Sequence, residues 1–254
     1  MKSNIVICLP ARYQSSRLPG KPLLEIAGKP LIIWALESAA KIHAKQMIVA
    51  TDDECIKKLV ETSGYQAIMT SDNHHSGTDR IAEVANMMEW SDDTIVVNYQ
   101  GDEPMTPKAN IEQLIAALRG NPQASIATLY QTINNYQDLI NPNNVKLVSD
   151  ENDYALYFSR SAIPHSRKYF PLQQLDQNIN YKHHIGLYAY RASFLKSFSQ
   201  LKPSKLEDTE SLEQLRAMSY GYKIIAKCAK QTMPHGIDTK EDIIRFEKLL
   251  SIQA

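Results

Sequence analysis

The chain predicts an α/β fold: a doubly wound, mostly parallel, Rossmann-like sheet with an inserted β-rich lobe. Short apolar runs bounded by turn residues alternate with helical stretches through the first half of the 254 residues, and such alternation implies right-handed βαβ units. From about residue 125 to residue 190 the pattern changes, with strands following one another closely and Pro, Asn and charged residues between them. A third observation is the run Ile5-Val6-Ile7-Cys8-Leu9, which reads as a strand buried on both faces that empties into a loop at Pro10.

In order, strands are expected at 5–9, 47–51, 94–99, 126–130, 145–149, 154–158, 185–190 and 224–229, each a short run rich in aliphatic, β-branched or aromatic residues. Helices are expected at 31–42, 54–62, 79–88, 108–118, 209–219 and 240–250. The last of these carries Ile243, Ile244, Phe246, Leu249 and Leu250, and the one before it places Leu212, Leu215 and Met218 toward a core. Glu213 and Gln214 would then project away from that stripe into water. One domain of 1–254 is expected, with the lobe at about 125–190 capping a ligand cleft or forming a dimer surface through Tyr154-Ala155-Leu156-Tyr157-Phe158 and Leu187-Tyr188-Ala189-Tyr190. The alternative is that both aromatic segments are ordinary core strands.

Lys plus Arg and Asp plus Glu both number 28, so the formal net charge is zero. That argues against a nucleic-acid or anionic-membrane partner held by bulk electrostatics and leaves local basic patches and a small ligand. Cys8, Cys55 and Cys228 lie far apart and form no C-x-x-C pair, which fits a reduced cytoplasm, with Cys8 and Cys228 expected in the core. Pro10 and Arg12 interrupt the first apolar run too early for a secretory leader, and no stretch approaches transmembrane length.

Past the first strand, Pro10-Ala11-Arg12-Tyr13-Gln14-Ser15-Ser16-Arg17-Leu18-Pro19-Gly20-Lys21-Pro22 brings Arg12, Arg17 and Lys21 together with no acid among them. Such a loop suits a polyanion, through Arg forks, a Lys point charge and backbone N–H groups, although a merely solvated basic loop has the same composition. A Walker motif is excluded, because Ser15 stands where its first Gly belongs and Pro22 follows Lys21. Gln100-Gly101-Asp102-Glu103-Pro104 puts an acid pair just past a strand, suited either to Mg²⁺ or to a plain acidic turn. Asp238 precedes the final helix, where it or Thr239 would serve as N-cap, the latter leaving the Asp238 carboxylate free for a metal. Ser76, Gly77 and Thr78, followed by Asp79 and Arg80, lie at a helix start, fit for base or ribose recognition or for capping by Thr78. Arg160 and His184 could bind a carboxylate by charge-assisted hydrogen bonds, or be structural. The paired histidines lack zinc-site spacing.

These segments occur in one order with Tyr-Ala-Leu-Tyr-Phe-Ser-Arg, His-Ile-Gly-Leu-Tyr-Ala-Tyr-Arg, Leu-Glu-x-x-Glu-x-Leu-Glu-Gln-Leu-Arg and Gly-Ile-Asp-Thr-x-Glu-Asp. Together, from about Ile5 to Leu249, they closely resemble the 3-deoxy-manno-octulosonate cytidylyltransferases, or CMP-KDO synthetases. The resemblance implies a nucleotidyltransferase-type sheet, transfer of CMP from CTP to the anomeric hydroxyl of KDO with release of pyrophosphate, dependence on Mg²⁺, a homodimer, and a product used in lipopolysaccharide assembly. It implies a CTP site of Pro10, Ala11, Arg12, Arg17, Lys21, Ser76, Gly77, Thr78 and Arg80, with metal carboxylates at Asp102 and Asp238. It implies a sugar pocket of Gln100, Arg160, His184, Tyr188, Glu213 and Gln214, and catalytic roles for Arg12, Lys21, Asp102 and Asp238. One departure is His183, where family members often carry Arg or Lys. Alternatives are CMP activation of 8-amino-KDO or sialic acid, and a non-catalytic nucleotide-binding subunit; the presence of Asp102, Asp238 and Lys21 favours the enzyme.

Overall fold

The computed structural model describes residues 4–14, 18–74 and 76–253. Its elements run β1 (Ile5–Ala11), β2 (Glu25–Ile26), β3 (Lys29–Pro30), α1 (Leu31–Ala39), β4 (Gln46–Thr51), α2 (Glu54–Thr62), β5 (Gln66–Met69), α3 (Gly77–Met87) and β6 (Ile95–Asn98). There follow α4 (Lys108–Gly120), β7 (Ile126–Thr132), α5 (Tyr136–Ile140), β8 (Lys146–Ser149), β9 (Ala155–Ser159) and β10 (Lys182–Arg191). The chain closes with α6 (Ala192–Phe198), α7 (Lys205–Glu210), α8 (Gln214–Ser219), β11 (Ile224–Cys228) and α9 (Lys240–Gln253). Two compact units result, the first from the described residues of 1–112, 191–199 and 233–254, the second from 113–190 and 200–232.

In the first unit the short β2 and β3 form a separate antiparallel pair, while β1 lies between β6 and β4, with β5 beyond, all paired in parallel. Its unbroken aliphatic run accounts for the central place, since a strand with neighbours on both edges and helices on both faces meets no water. Cys8 pairs in register with Ile48 on one side and Asn98 on the other, is wholly buried, and has its thiol pushed up to about 12 by burial. The segment from Met233 returns to this unit through a cluster of Ile26, Leu31, Ile237 and Phe246, against which Trp34, Met105, Ile243 and Leu250 pack. Trp34 and Phe246 meet edge to face at 5.7 Å between ring centroids.

In the second unit β7 pairs in parallel with β11 and antiparallel with β10, while β8 pairs antiparallel with both β10 and β9. The β-rich segment 125–190 falls inside this unit, which also takes in residues 113–124 and 200–232. The single helix expected at 209–219 is two. A capping box of Ser204 and Glu207 starts α7 early, and Ser211, at φ 53, turns the chain left-handed before α8. Cys228, expected in the core, is exposed at the end of β11. Among the described residues no helix is long and apolar enough to cross a membrane.

Removing the ring of Phe246, which is 4% exposed, opens a cavity beneath α9. Phe246→Ala should lower stability by about 3 kcal/mol in urea unfolding. A loss under 1 kcal/mol would mean α9 is not docked through this cluster.

Candidate active site

The C-terminal ends of β1 and β6 and the loop after β5 open onto a cleft of about 280 Å³, lined by Pro10, Ala11, Arg12, Lys21, His74, Ser76, Gly77, Arg80, Gln100, Gly101, Asp102 and Asp238 among others. All belong to the first unit. Ligands of open α/β sheets bind at this edge, because loops leaving parallel strands gather there. Gly101 permits the close approach of the loop after β6 to β1, since a Cβ at that position would lie 3.2 Å from Ile32 Cδ1 and 3.4 Å from the Pro10 carbonyl. Gly20, at φ 67, supplies the left-handed residue ahead of a short 3₁₀ turn at Lys21–Leu23.

That turn aims Lys21 at both expected metal carboxylates: Nζ donates to Asp102 Oδ2 at 2.6 Å and to Asp238 Oδ1 at 2.9 Å. Asp238 does not serve as the cap of α9, because Thr239 and Asp242 do so. Asp242 Oδ2 accepts from the backbone N–H of Asp238 and of Thr239, and its own N–H donates to Thr239 Oγ1. Ile237 N–H donates to the Asp102 carbonyl at 2.9 Å, tying the two acid-bearing segments together. Beside them stands Glu103, which with Asp102 formed the acidic turn that the sequence offered to Mg²⁺ and to which the resemblance assigned no part. Its Oε2 is buried without a hydrogen-bond partner among the described residues, and burial, with the charges of Asp102 and Asp238, pushes its carboxyl up to about 8. Among the described residues no group of three or more His, Cys, Asp and Glu is placed to hold a metal.

Opposite the acids, Ser76 rather than Thr78 caps α3, its hydroxyl accepting from Asp79 N–H and donating to Asp79 Oδ2. Thr78 lies within the helix and is 3% exposed. Arg80, expected in the CTP site, lines the cleft but has its guanidinium committed: Nη2 donates to Asp52 Oδ2 at 2.6 Å and Nη1 donates to Thr70 Oγ1. Asp52 Oδ1 also accepts from Tyr13 N–H at 3.3 Å, so this carboxylate couples α3 to the loop after β1. Asp52 was missed, and its signal was the Thr51-Asp52-Asp53 sequence at the end of β4. Arg12 is exposed at the cleft, and Arg17 lies outside the described residues.

Of the residues expected at the sugar, Gln100 lines the cleft while Arg160, His184, Tyr188, Glu213 and Gln214 belong to the second unit. There Arg160 is held by backbone carbonyls, Nε donating to Glu210 O, Nη1 to Pro142 O and Nη2 to Ser211 O. Beneath it the fully buried Lys146 donates to the carbonyls of Arg160 and Asn141, and burial and the Arg160 charge lower its pKa. Gln214 is buried, contrary to the expectation of a solvated side chain, and its Nε2 has no partner among the described residues. The short α8, not a continuation of α7, sets this orientation. Burial, with Tyr190 and Glu213 nearby, holds the Tyr188 hydroxyl protonated.

His184 is not the cation expected. Burial and the neighbouring His183 push its imidazole down to about 3, so the ring is neutral at pH 7. Thr128 Oγ1 lies 2.9 Å from His184 Nε2 and 2.8 Å from the Leu187 carbonyl. The one hydroxyl proton must go to the carbonyl, so Nε2 carries the imidazole hydrogen and Nδ1 keeps the lone pair. Such a ring accepts a hydrogen bond from a hydroxyl; it does not neutralise a carboxylate.

Parallel strands, a helix N-terminus and facing cations and acids at one sheet edge define a nucleotide-binding α/β protein of the transferase kind. A model of the cytidylyltransferase family matches residues 5–224. The 3-deoxy-manno-octulosonate cytidylyltransferase of Pseudomonas fluorescens is 48% identical over 252 residues, 98% of this chain and 99% of that one. The protein of the same name from Vibrio vulnificus is 45% identical over 251 residues, 99% of this chain and 100% of that one. A solved CMP:2-keto-3-deoxy-manno-octonic acid synthetase in complex with CTP superposes with a TM-score of 0.89 at 41% identity, covering 99% of this chain and 100% of that one. The chain belongs to the 3-deoxy-manno-octulosonate cytidylyltransferase family. At the level of fold alone it also resembles the 4-diphosphocytidyl-2C-methyl-D-erythritol synthase of Anaerococcus prevotii, with a TM-score of 0.63, 13% identity, and 99% of this chain and 100% of that one covered.

Because folded His184 stays neutral until about pH 3 while an unfolded histidine takes a proton near 6.5, the unfolded state binds more protons between those values. Stability should therefore fall as the pH is lowered through that window. His184→Gln should flatten the slope of urea-unfolding free energy against pH; an unchanged slope would show that the ring protonates freely in the native state.

Proposed function

We propose that the chain couples CTP to the anomeric hydroxyl of 3-deoxy-D-manno-octulosonate, giving CMP-KDO and pyrophosphate, with Mg²⁺ at Asp102 and Asp238. One arrangement carries the reading: in a chain of this family, a basic loop and an acid pair meet at the sheet edge, joined through Lys21. The donor set suits Mg²⁺, since two carboxylate oxygens converge on one cationic atom and no third ligand-type side chain joins them among the described residues. Magnesium takes one or two protein carboxylates and completes its shell with water and phosphate oxygens. When bound, it would polarise the α-phosphate and acidify the attacking hydroxyl.

The protein's own part is to bring two anions together. Arg12 and Lys21 offset triphosphate charge and stabilise the negative charge that builds on departing pyrophosphate. Ser76 and Gly77 present the N-terminus of α3 to the nucleoside side of the cleft, where its partial positive charge favours an oxygen-rich ligand. Arg80 and Asp52 hold that helix end against the loop. For the sugar acid, the second unit offers the Arg160 guanidinium to the carboxylate, His184 Nδ1 as acceptor, and the Tyr188 hydroxyl and Gln214 Nε2 as donors. No covalent intermediate is required, because the sugar's own hydroxyl attacks the α-phosphorus.

The protein is further proposed to be a cytoplasmic homodimer whose product serves lipopolysaccharide assembly. Exposed Leu156, Leu172 and Leu206 on the second unit supply apolar area for self-association.

Purified protein given Mg²⁺, each nucleoside triphosphate in turn, and KDO, 8-amino-KDO or sialic acid should release pyrophosphate with CTP and a KDO-type sugar alone. Asp102→Asn should lower kcat on the order of a thousandfold with an unchanged circular dichroism spectrum. Arg160→Ala should raise KM for the sugar and leave KM for CTP within about twofold. Turnover surviving Asp102→Asn would overturn the metal assignment, and release with sialic acid in preference to KDO would overturn the substrate.

A further inference from the structure

Lys21 occupies the point at which the acid pair converges, one hydrogen bond to each carboxylate, at 2.6 Å from Asp102 Oδ2 and 2.9 Å from Asp238 Oδ1. A divalent ion sharing those two oxygens needs the same position, and two cations cannot hold it together where little water screens them. Lys21 is only 8% exposed. Its backbone is fixed, with Lys21 N–H donating to Leu18 O and Leu24 N–H donating back to Lys21 O, and Pro22 following in the 3₁₀ turn. Arg12 stands exposed on the same loop. Among its described residues the loop therefore offers one cation open to phosphate, Arg12, and one engaged with acids, Lys21.

From this geometry we infer that Lys21 is the resident counter-ion of Asp102 and Asp238, so that a divalent cation enters the pair only as nucleotide phosphate draws the ammonium away. Cation and nucleotide then load together. The inference rests on the reading that the acid pair holds the divalent ion. The exchange leaves no acid without a cation, since the ammonium passes from two carboxylates to the triphosphate while the incoming dication takes its place and cancels both carboxylate charges. Without a resident cation the pair would face like-charge repulsion across the shared position.

The test is Mn²⁺ binding to the nucleotide-free protein, read by electron paramagnetic resonance of the free ion, with thermal melting alongside. Lys21→Met and Lys21→Gln should bind Mn²⁺ at least tenfold more tightly than the wild type, whereas Lys21→Arg, which keeps the charge, should bind as weakly as the wild type. Mn²⁺ should raise the melting temperature of the two neutral variants and not that of the wild type. A neutral variant that melts early and is restored by Mn²⁺ supports the inference; one that Mn²⁺ fails to restore opposes it. If Asp102→Asn weakens Mn²⁺ binding yet neutralising Lys21 does not tighten it, the counter-ion role falls and the metal reading stands. Mn²⁺ binding indifferent to Asp102→Asn, in wild-type and Lys21→Met backgrounds alike, overturns both.

Discussion

A single ammonium group reconciles two aspartates that arrive from distant parts of the sequence, and most of the first unit serves to bring these three groups within hydrogen-bond reach. Burial of β1 between β4 and β6 fixes where the basic loop starts and where the loop bearing Asp102 starts. Gly101 lets those two loops approach, and Gly20 turns the chain so that Lys21 points inward. Asp238 comes from the other direction, held by the Ile237 N–H bond to the Asp102 carbonyl and by the apolar cluster under α9. Apolar packing thus bears the expense of holding charged groups in a fixed, partly dry arrangement, which is what electrostatic catalysis of phosphoryl transfer needs.

Charge counted in sequence differs from charge available to a ligand. Arg80 is bound to Asp52 and Thr70, and Glu103 is driven toward its neutral form by burial beside like charges. His184 is neutral because the protein interior does not solvate an imidazolium. Arg160 is fixed in place by a cradle of carbonyl oxygens from Glu210, Pro142 and Ser211. In the sugar site proposed above, the neutral His184 would complement Arg160, since a hydroxyl-rich sugar needs acceptors as well as a countercharge.

Parallel strands were legible because their side chains meet apolar neighbours on every side, and Ile5-Val6-Ile7-Cys8-Leu9 or Thr94-Ile95-Val96-Val97 has no other stable placement. The loops at their ends were legible from unusual local charge, so Lys21, Asp102 and Asp238 emerged from the sequence. Short elements such as β5 and α5 were not, because so few residues make no clear period. The division of α7 from α8 depends on one left-handed residue, Ser211, whose side chain does not advertise that conformation. Asp52 and the tautomer of His184 stayed hidden for a different reason: each is defined by partners far away in sequence, Arg80 for one and Thr128 for the other.

The first unit is assembled from three separate stretches of chain, the last of which carries Asp238. During synthesis, the ribosome makes the basic loop and Asp102 early, then all of the second unit, before the second aspartate emerges. A nascent chain therefore holds a lysine with half of its acidic partnership until the second unit has been made in full, and a messenger cut short upstream of the Asp238 codon yields a protein unable to complete the pair.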